Sequence, residues 1–242
     1  MSVRKSISRA LTAGLVPLLI LFLPVLWAQN ADLQQRVADL KESSAKNKEE
    51  LAKYTWVEQV SISLKGQERK QQHFQVRMGP DGKPQKTSLD PAPSAQQDSG
   101  GRHGRLRERV VEKKKEEYED YAERMKSLAE RYIPPDKDAI QEAYSKGNIS
   151  ITPSAGAPDQ VKLVIRNYVK AGDSMTLLVD KSKKTLLSIQ IATYLDDPTD
   201  AVNLTVQFAG LPDGPRHVSA ATIEGTSKQL KVATQNSNYQ KL

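Results

Sequence analysis

Cysteine is absent from all 242 residues. That excludes disulfides, a thiolate nucleophile and any thiolate zinc site, and it removes the residue through which a bacterial lipoprotein is acylated. Histidine is scarce. His73, His103 and His217 fall in a strand-like stretch, a linker-like stretch and a turn, so no spacing announces the three or four convergent ligands that zinc needs. No G-x-S-x-G elbow, glycine-rich phosphate loop or H-E-x-x-H helix is present, and the Asp196-Asp197 pair precedes Pro198, where a turn asks for aspartate on backbone grounds. No catalytic residue, metal or cofactor is therefore expected. No rhythm of alternating strands and helices points to a doubly wound sheet.

Long apolar runs are missing as well, except at the start. Arg4, Lys5 and Arg9 precede an uncharged stretch, residues 10–27, that ends beside the small Ala28. Cations held on the cytoplasmic side ahead of such a run are the pattern of a secretory leader, so residues 1–28 are expected to be a signal peptide. The run is also long enough to span a bilayer, which leaves a retained anchor as the alternative. Pro17 and Pro24 weaken a spanning helix and favour removal. In either case the rest of the chain is expected outside the cytoplasm, periplasmic or secreted.

Unopposed positive charge is lacking too. The chain has 36 Lys and Arg, three of them in the leader, against 29 Asp and Glu, so the remainder carries +4. Acids and bases interleave, as in Arg107-Glu108-Arg109 and in Lys113 to Glu117. A nucleic-acid reader needs an unopposed basic face, so nucleic acid is not an expected partner. Transient contact with anionic headgroups is the most this charge supports.

What is present reads as one β-rich domain, residues 29–242. Residues 32–53 have Leu33, Val37 and Leu40 at helical spacing. The period then changes to two: Trp56, Val60, Ile62 and Leu64 share one face, and Gln59, Ser61 and Ser63 the other. Further strands are expected at 69–78 and 84–89, joined by the turn Gly79-Pro80-Asp81-Gly82. Residues 90–104 have the composition of a linker. A helical insertion, 105–146, follows. Its first helix carries the stripe Val111, Lys114, Tyr118, Tyr121, Met125, Leu128 and Tyr132. Pro134-Pro135 stops it, and Asp136 is placed to cap a second helix over 137–146. Seven more strands are expected, at 148–151, 161–169, 175–180, 185–194, 201–209, 218–224 and 228–236. Short turns between them favour an antiparallel meander. The fold class is α+β: a strongly curved antiparallel sheet or unclosed β-barrel with an N-terminal helix and an inserted helical hairpin.

Two residues break these patterns. Glu58 falls on the apolar face of its strand, either as an exposed strand end or as a polar group at the rim of an apolar pocket. Lys114 interrupts the helical stripe, either packed along its stem or guarding a cavity mouth. With Trp56, Tyr118 and Tyr121 they form the candidate ligand-binding set.

Several segments together resemble the periplasmic superfamily of outer-membrane lipoprotein carriers and sorting-like proteins. These are Lys53-Tyr54-Thr55-Trp56-Val57-Glu58 after a polar helix; Asp173-Ser174-Met175-Thr176-Leu177-Leu178-Val179-Asp180, followed by a turn and a strand over 186–194; and a last strand running into Asn238-Tyr239. The resemblance implies an unclosed antiparallel barrel with helices over its apolar concave face, and lipid carriage. The hairpin is long for a plain carrier, and Lys181-Ser182-Lys183 stands where such proteins often have a proline-containing turn. The expected function is a non-enzymatic envelope protein binding a lipid or lipidated protein in an apolar concavity. The alternative is a structural or protein-interaction module with a filled core and an envelope protein partner.

Overall fold

The structure is a computed structural model, which describes residues 42, 45–91, 102–183, 185–212 and 214–242, with only the backbone given for 102–110 and 137. The chain divides into two compact units, residues 1–38 and 39–242; the first lies outside the described residues, and with it the expected leader. Of the expected N-terminal helix, residues 42 and 45–51 are described as helical, and residues 52–53 form the turn that follows. Residues 92–101, most of the expected linker, also lie outside.

The described residues form ten strands and a helical hairpin. In chain order these are β1 (Tyr54–Leu64), β2 (Gln67–Met78), β3 (Pro84–Ser88), α1 (Arg102–Glu130), α2 (Lys137–Ser145), β4 (Ile149–Ser154), β5 (Ala157–Arg166), β6 (Ser174–Asp180), β7 (Thr185–Tyr194), β8 (Ala201–Gly210), β9 (Arg216–Gly225) and β10 (Leu230–Lys241). All ten join one antiparallel sheet in the order β3-β2-β1-β10-β9-β8-β7-β6-β5-β4. Consecutive strands are neighbours from β4 to β10, as short turns require. The first strand then pairs with the last: Tyr54 lies opposite Lys241 and Leu64 opposite Leu230. β3 and β4 are the edges and do not pair, so the sheet is unclosed. The helical hairpin runs from one edge to the other.

Turn chemistry explains the tight corners. Lys65 and Gly66 both have positive φ, 52° and 75°, the two-residue geometry that matches the twist of a hairpin. Five ladders contain a register break, at Thr55/Val57, Ile62/Ser63, Pro153/Ser154, Leu178/Val179 and Gln207/Phe208. Extra residues of this kind bend a strand and raise its twist, which curves so wide a sheet.

One face of the sheet carries the core. Leu163 and Ile165 of β5, Met175 and Leu177 of β6, Ile189 and Ile191 of β7, and Val202, Leu204 and Val206 of β8 are all buried. α2 adds Ile140 and Ala143, and its N-terminus is capped as expected, with Asp136 accepting from the Ala139 amide at 2.8 Å. From α1 and the turn after it come Tyr121, Met125, Leu128 and Tyr132. The expected stripe is thus buried only in its C-terminal part: Val111 is 63% exposed, Lys114 is exposed and Tyr118 half-buried. Periodicity shows which side of a helix is apolar, not how much of its length finds something to lie on.

Where α1 lands, the sheet has no side chain. A Cβ on Gly225 would sit 2.5 Å from the Met125 sulfur and 2.6 Å from Tyr121 Cε1. Gly225→Val therefore forces the helix off β9, and overpacking of this kind costs about 1–3 kcal/mol. The expected result is a lowered midpoint in chemical denaturation; an unchanged midpoint would show that α1 does not rest there.

Candidate functional site

Cover over the apolar face is uneven. Across β5 to β8 the inward residues are buried. On the adjoining strip of β9, β10 and β1, the inward residues Ala221, Ile223, Val232, Thr234, Val60 and Ile62 are only half-buried. Direct register pairs make this strip continuous: Val206 with Ala221, Leu204 with Ile223, Ile223 with Val232, Ala221 with Thr234, Val232 with Ile62 and Thr234 with Val60. Opposed residues of an antiparallel ladder share a face, so these side chains form one apolar floor.

Each end of the floor is closed differently. At the β9–β10 turn α1 holds down Gly225, and three polar contacts fix it there. Tyr121 Oη donates to Asp200 Oδ1 at 2.5 Å, Arg124 pairs with Asp196, and Glu117 pairs with Lys228. Burial, reinforced by Asp200, pushes the Tyr121 phenol up to about 12. Tyr132, just past the helix, donates to Asp173 Oδ2 at 2.5 Å and lies 2.7 Å from the Thr193 hydroxyl; burial and the Asp173 bond raise its pKa above the usual tyrosine range.

The opposite end holds Trp56 and Glu58. Glu58 is 8% exposed, lies opposite Asn236 of β10 and Phe74 of β2, and forms an ion pair with Lys86 of β3. Trp56 is 6% exposed and stacks on Tyr239, ring centroids 5.5 Å apart; the His217 ring is tilted against Tyr239, centroids 4.0 Å apart. Burial, with a smaller contribution from the Glu58 charge, raises the Tyr239 pKa above its ordinary range.

Here β9 and β10 part. Their pairing stops at Gln235 and Ala220, although both strands continue. Backbone groups of β9 that β10 would have met are taken by side chains instead. Asn47 accepts from Arg216 N at 2.5 Å and donates to Arg216 O at 2.6 Å, and Asn236 Nδ2 donates to Val218 O at 2.9 Å. Three buried polar atoms in this region have no partner: Trp56 Nε1, Asn236 Oδ1 and Arg216 Nε. Buried polar groups are nearly always satisfied, so unpaired ones gathered at one place mark a site.

Of the five residues singled out in the sequence, Trp56 and Glu58 come together. Tyr121 lies at the far end of the floor, about 25 Å away by the rise of the intervening strand. Tyr118 and Lys114 are on α1, one and two turns toward its exposed part. Sequence reading missed Asn236, Tyr239, His217 and Arg216. The run Asn236-Ser237-Asn238-Tyr239, polar residues before an aromatic at the end of a strand, was the available signal. Among the described residues no cluster of three or more His, Asp or Glu is placed to hold a metal ion, and no helix is long and apolar enough to cross a membrane.

The sequence matches no family model and no curated protein. Two solved structures are similar in outline. One is a DUF1329 family protein from Desulfovibrio piger: 12% identity, 84% of this chain and 92% of that chain covered, TM-score 0.40. The other is a LolA superfamily protein from Nitrosomonas europaea: 8% identity, 82% and 93% covered, TM-score 0.33. Both likenesses are low in identity and in TM-score.

Tyr121 gives the helix contact a pH dependence. A phenol whose folded pKa exceeds its ordinary 10.0 contributes stability that is complete below pH 10 and is lost as pH rises through about 12. Alkaline titration should therefore show tyrosinate absorbance and loss of near-UV dichroism developing together across that window. Tyrosinate formation complete near pH 10, with the fold intact, would contradict the buried Tyr121–Asp200 bond.

Proposed function

We propose that this is an exported, non-enzymatic envelope protein that binds the acyl chain of a lipid or of a lipidated protein on the floor formed by β1, β10 and β9. The observation that carries this reading is the uneven cover of one continuous apolar face. β5 to β8 are closed by α1 and α2, while Val60, Ile62, Val232, Ala221 and Ile223 stay half-buried. Apolar side chains on a concave face, with a few polar groups at one end, suit an amphiphile whose tail lies on the strip and whose head reaches Trp56 and Glu58. Each methylene removed from water contributes about 0.8 kcal/mol. A tail burying some six of them gains about 5 kcal/mol before the costs of association are subtracted.

Export rests on the leader-like residues 1–28. Carriage needs no reaction, and the absence of catalytic motifs from the sequence is consistent with it. The second reading, an interaction module, draws on the same hairpin: the C-terminal part of α1 buries Tyr121, Met125 and Leu128, while residues 111–117 are exposed and densely charged, as a protein-binding surface would be.

Native mass spectrometry of protein purified from its own envelope separates the two. Carriage predicts an adduct with the mass of an acyl compound that is lost on organic extraction and regained with added lipid. A bare mass under conditions that preserve lipid complexes, together with a stable protein partner, would replace the first reading by the second.

A further inference from the structure

The polar end of the floor is specific enough to say what kind of head it takes. Of the three unpaired buried atoms at this end, two sit at neighbouring ladder positions of β1 and β10, the donor Trp56 Nε1 and the acceptor Asn236 Oδ1, beside the Glu58 carboxylate; the third, the donor Arg216 Nε, belongs to β9. Glu58 and Asn236 are directly opposed, so their side chains are close neighbours. Trp56 is two residues back on the same face, and its ring is fixed by stacking on Tyr239. Asn236 is fixed as well, since its amide nitrogen is committed to Val218 O. Neither group can swing away to find a partner.

We infer that this end recognises an uncharged head bearing both a donor and an acceptor, such as a carboxamide, and discriminates against a carboxylate on the same tail. The inference rests on the acyl-binding reading above. An amide carbonyl accepts from Trp56 Nε1, while its N–H groups donate to Asn236 Oδ1 and to Glu58. A carboxylate has no proton for Asn236 and meets the negative charge of Glu58. Lys86 offsets that charge only partly, because its side chain is 44% exposed and water screens it. A further cation, Arg216, lies on β9 beyond the point where β9 and β10 part; one of its guanidinium nitrogens donates to Phe208 O at 2.9 Å.

The test is calorimetric titration of the full exported chain with decanamide and, separately, with sodium decanoate at neutral pH. Decanamide should bind at least about tenfold more tightly, the worth of one hydrogen bond to a fixed partner plus one avoided charge contact. Trp56→Phe keeps the ring stack and loses the N–H, and should weaken decanamide while leaving decanoate unchanged. Glu58→Gln should improve decanoate binding and narrow the gap. Equal affinity for the two probes overturns the head-group inference and leaves the acyl-binding reading intact. Tighter decanoate binding overturns it too, and assigns the head to Arg216. No binding of either probe overturns both readings. Matched thermal melts of the variants and the parent chain separate a lost contact from a lost fold.

Discussion

One buried carboxylate joins the end of α1 to two separate parts of the sheet. Asp173 is 2% exposed and accepts from the Tyr132 hydroxyl and from the amides of Tyr168, Val169 and Lys170, at 2.5, 2.6, 2.9 and 2.7 Å. Burying such a group this deeply is tolerable only when it is hydrogen-bonded, and here the partners serve two different structural tasks. The three amides shape the β5–β6 connection. Tyr132 marks the end of α1, and its hydroxyl also meets Thr193 on β7. The place where α1 stops, the turn that starts β6 and the end of β7 are therefore one arrangement. Because α1 is held at this point and at Gly225, it covers β5 to β8 and leaves the β1–β10–β9 strip half open.

That asymmetry gives the molecule two kinds of interior. In the β5–β8 part, residues such as Ile165, Met175 and Ile189 are sealed, and the contribution is stability. In the other part the apolar area still in contact with water is a standing cost. The polar devices differ in the same way. Both carboxylate oxygens of Asp173 accept hydrogen bonds, whereas around Trp56 and Asn236 a donor and an acceptor are buried without partners. Natural proteins leave such groups unsatisfied mostly where something else completes them.

Much of this was legible in the sequence. All ten strands follow from period-two alternation and turn chemistry, and the hairpin follows from the aromatic stripe, Pro134-Pro135 and the Asp136 cap. The boundaries that moved did so for local reasons. β10 runs on to Lys241 through polar residues, because its pairing with β1 rather than any apolar pattern sustains it. β5 ends at Arg166, short of the expected Val169, because Asp173 draws the amides of residues 168–170 into its turn. Of the site, Glu58 was visible as a charge on an apolar face, and it drew attention to Trp56. Arg216 was not visible, and Asn236 and Tyr239 showed only as a polar run ending in an aromatic. Their positions depend on which strand pairs with β1 and on where β9 and β10 separate, and both are long-range facts that no local window contains.

The pairing of β1 with β10 has a consequence in time. Seven strands, β4 to β10, are each linked to the next by a short turn and can zip together from local contacts. The β1–β2–β3 segment has only one place to attach, the far side of β10, the strand most distant from it in chain order. Loop closure on that scale is slow compared with hairpin formation. Until the C-terminal strand arrives, β1 keeps an unpaired edge and an uncovered apolar face, the combination most prone to misassociation. The strip that stays half-buried in the finished protein is thus also the last to be built, and the segment bearing Trp56 and Glu58 must wait, unpaired on one side, for Asn236 and Tyr239.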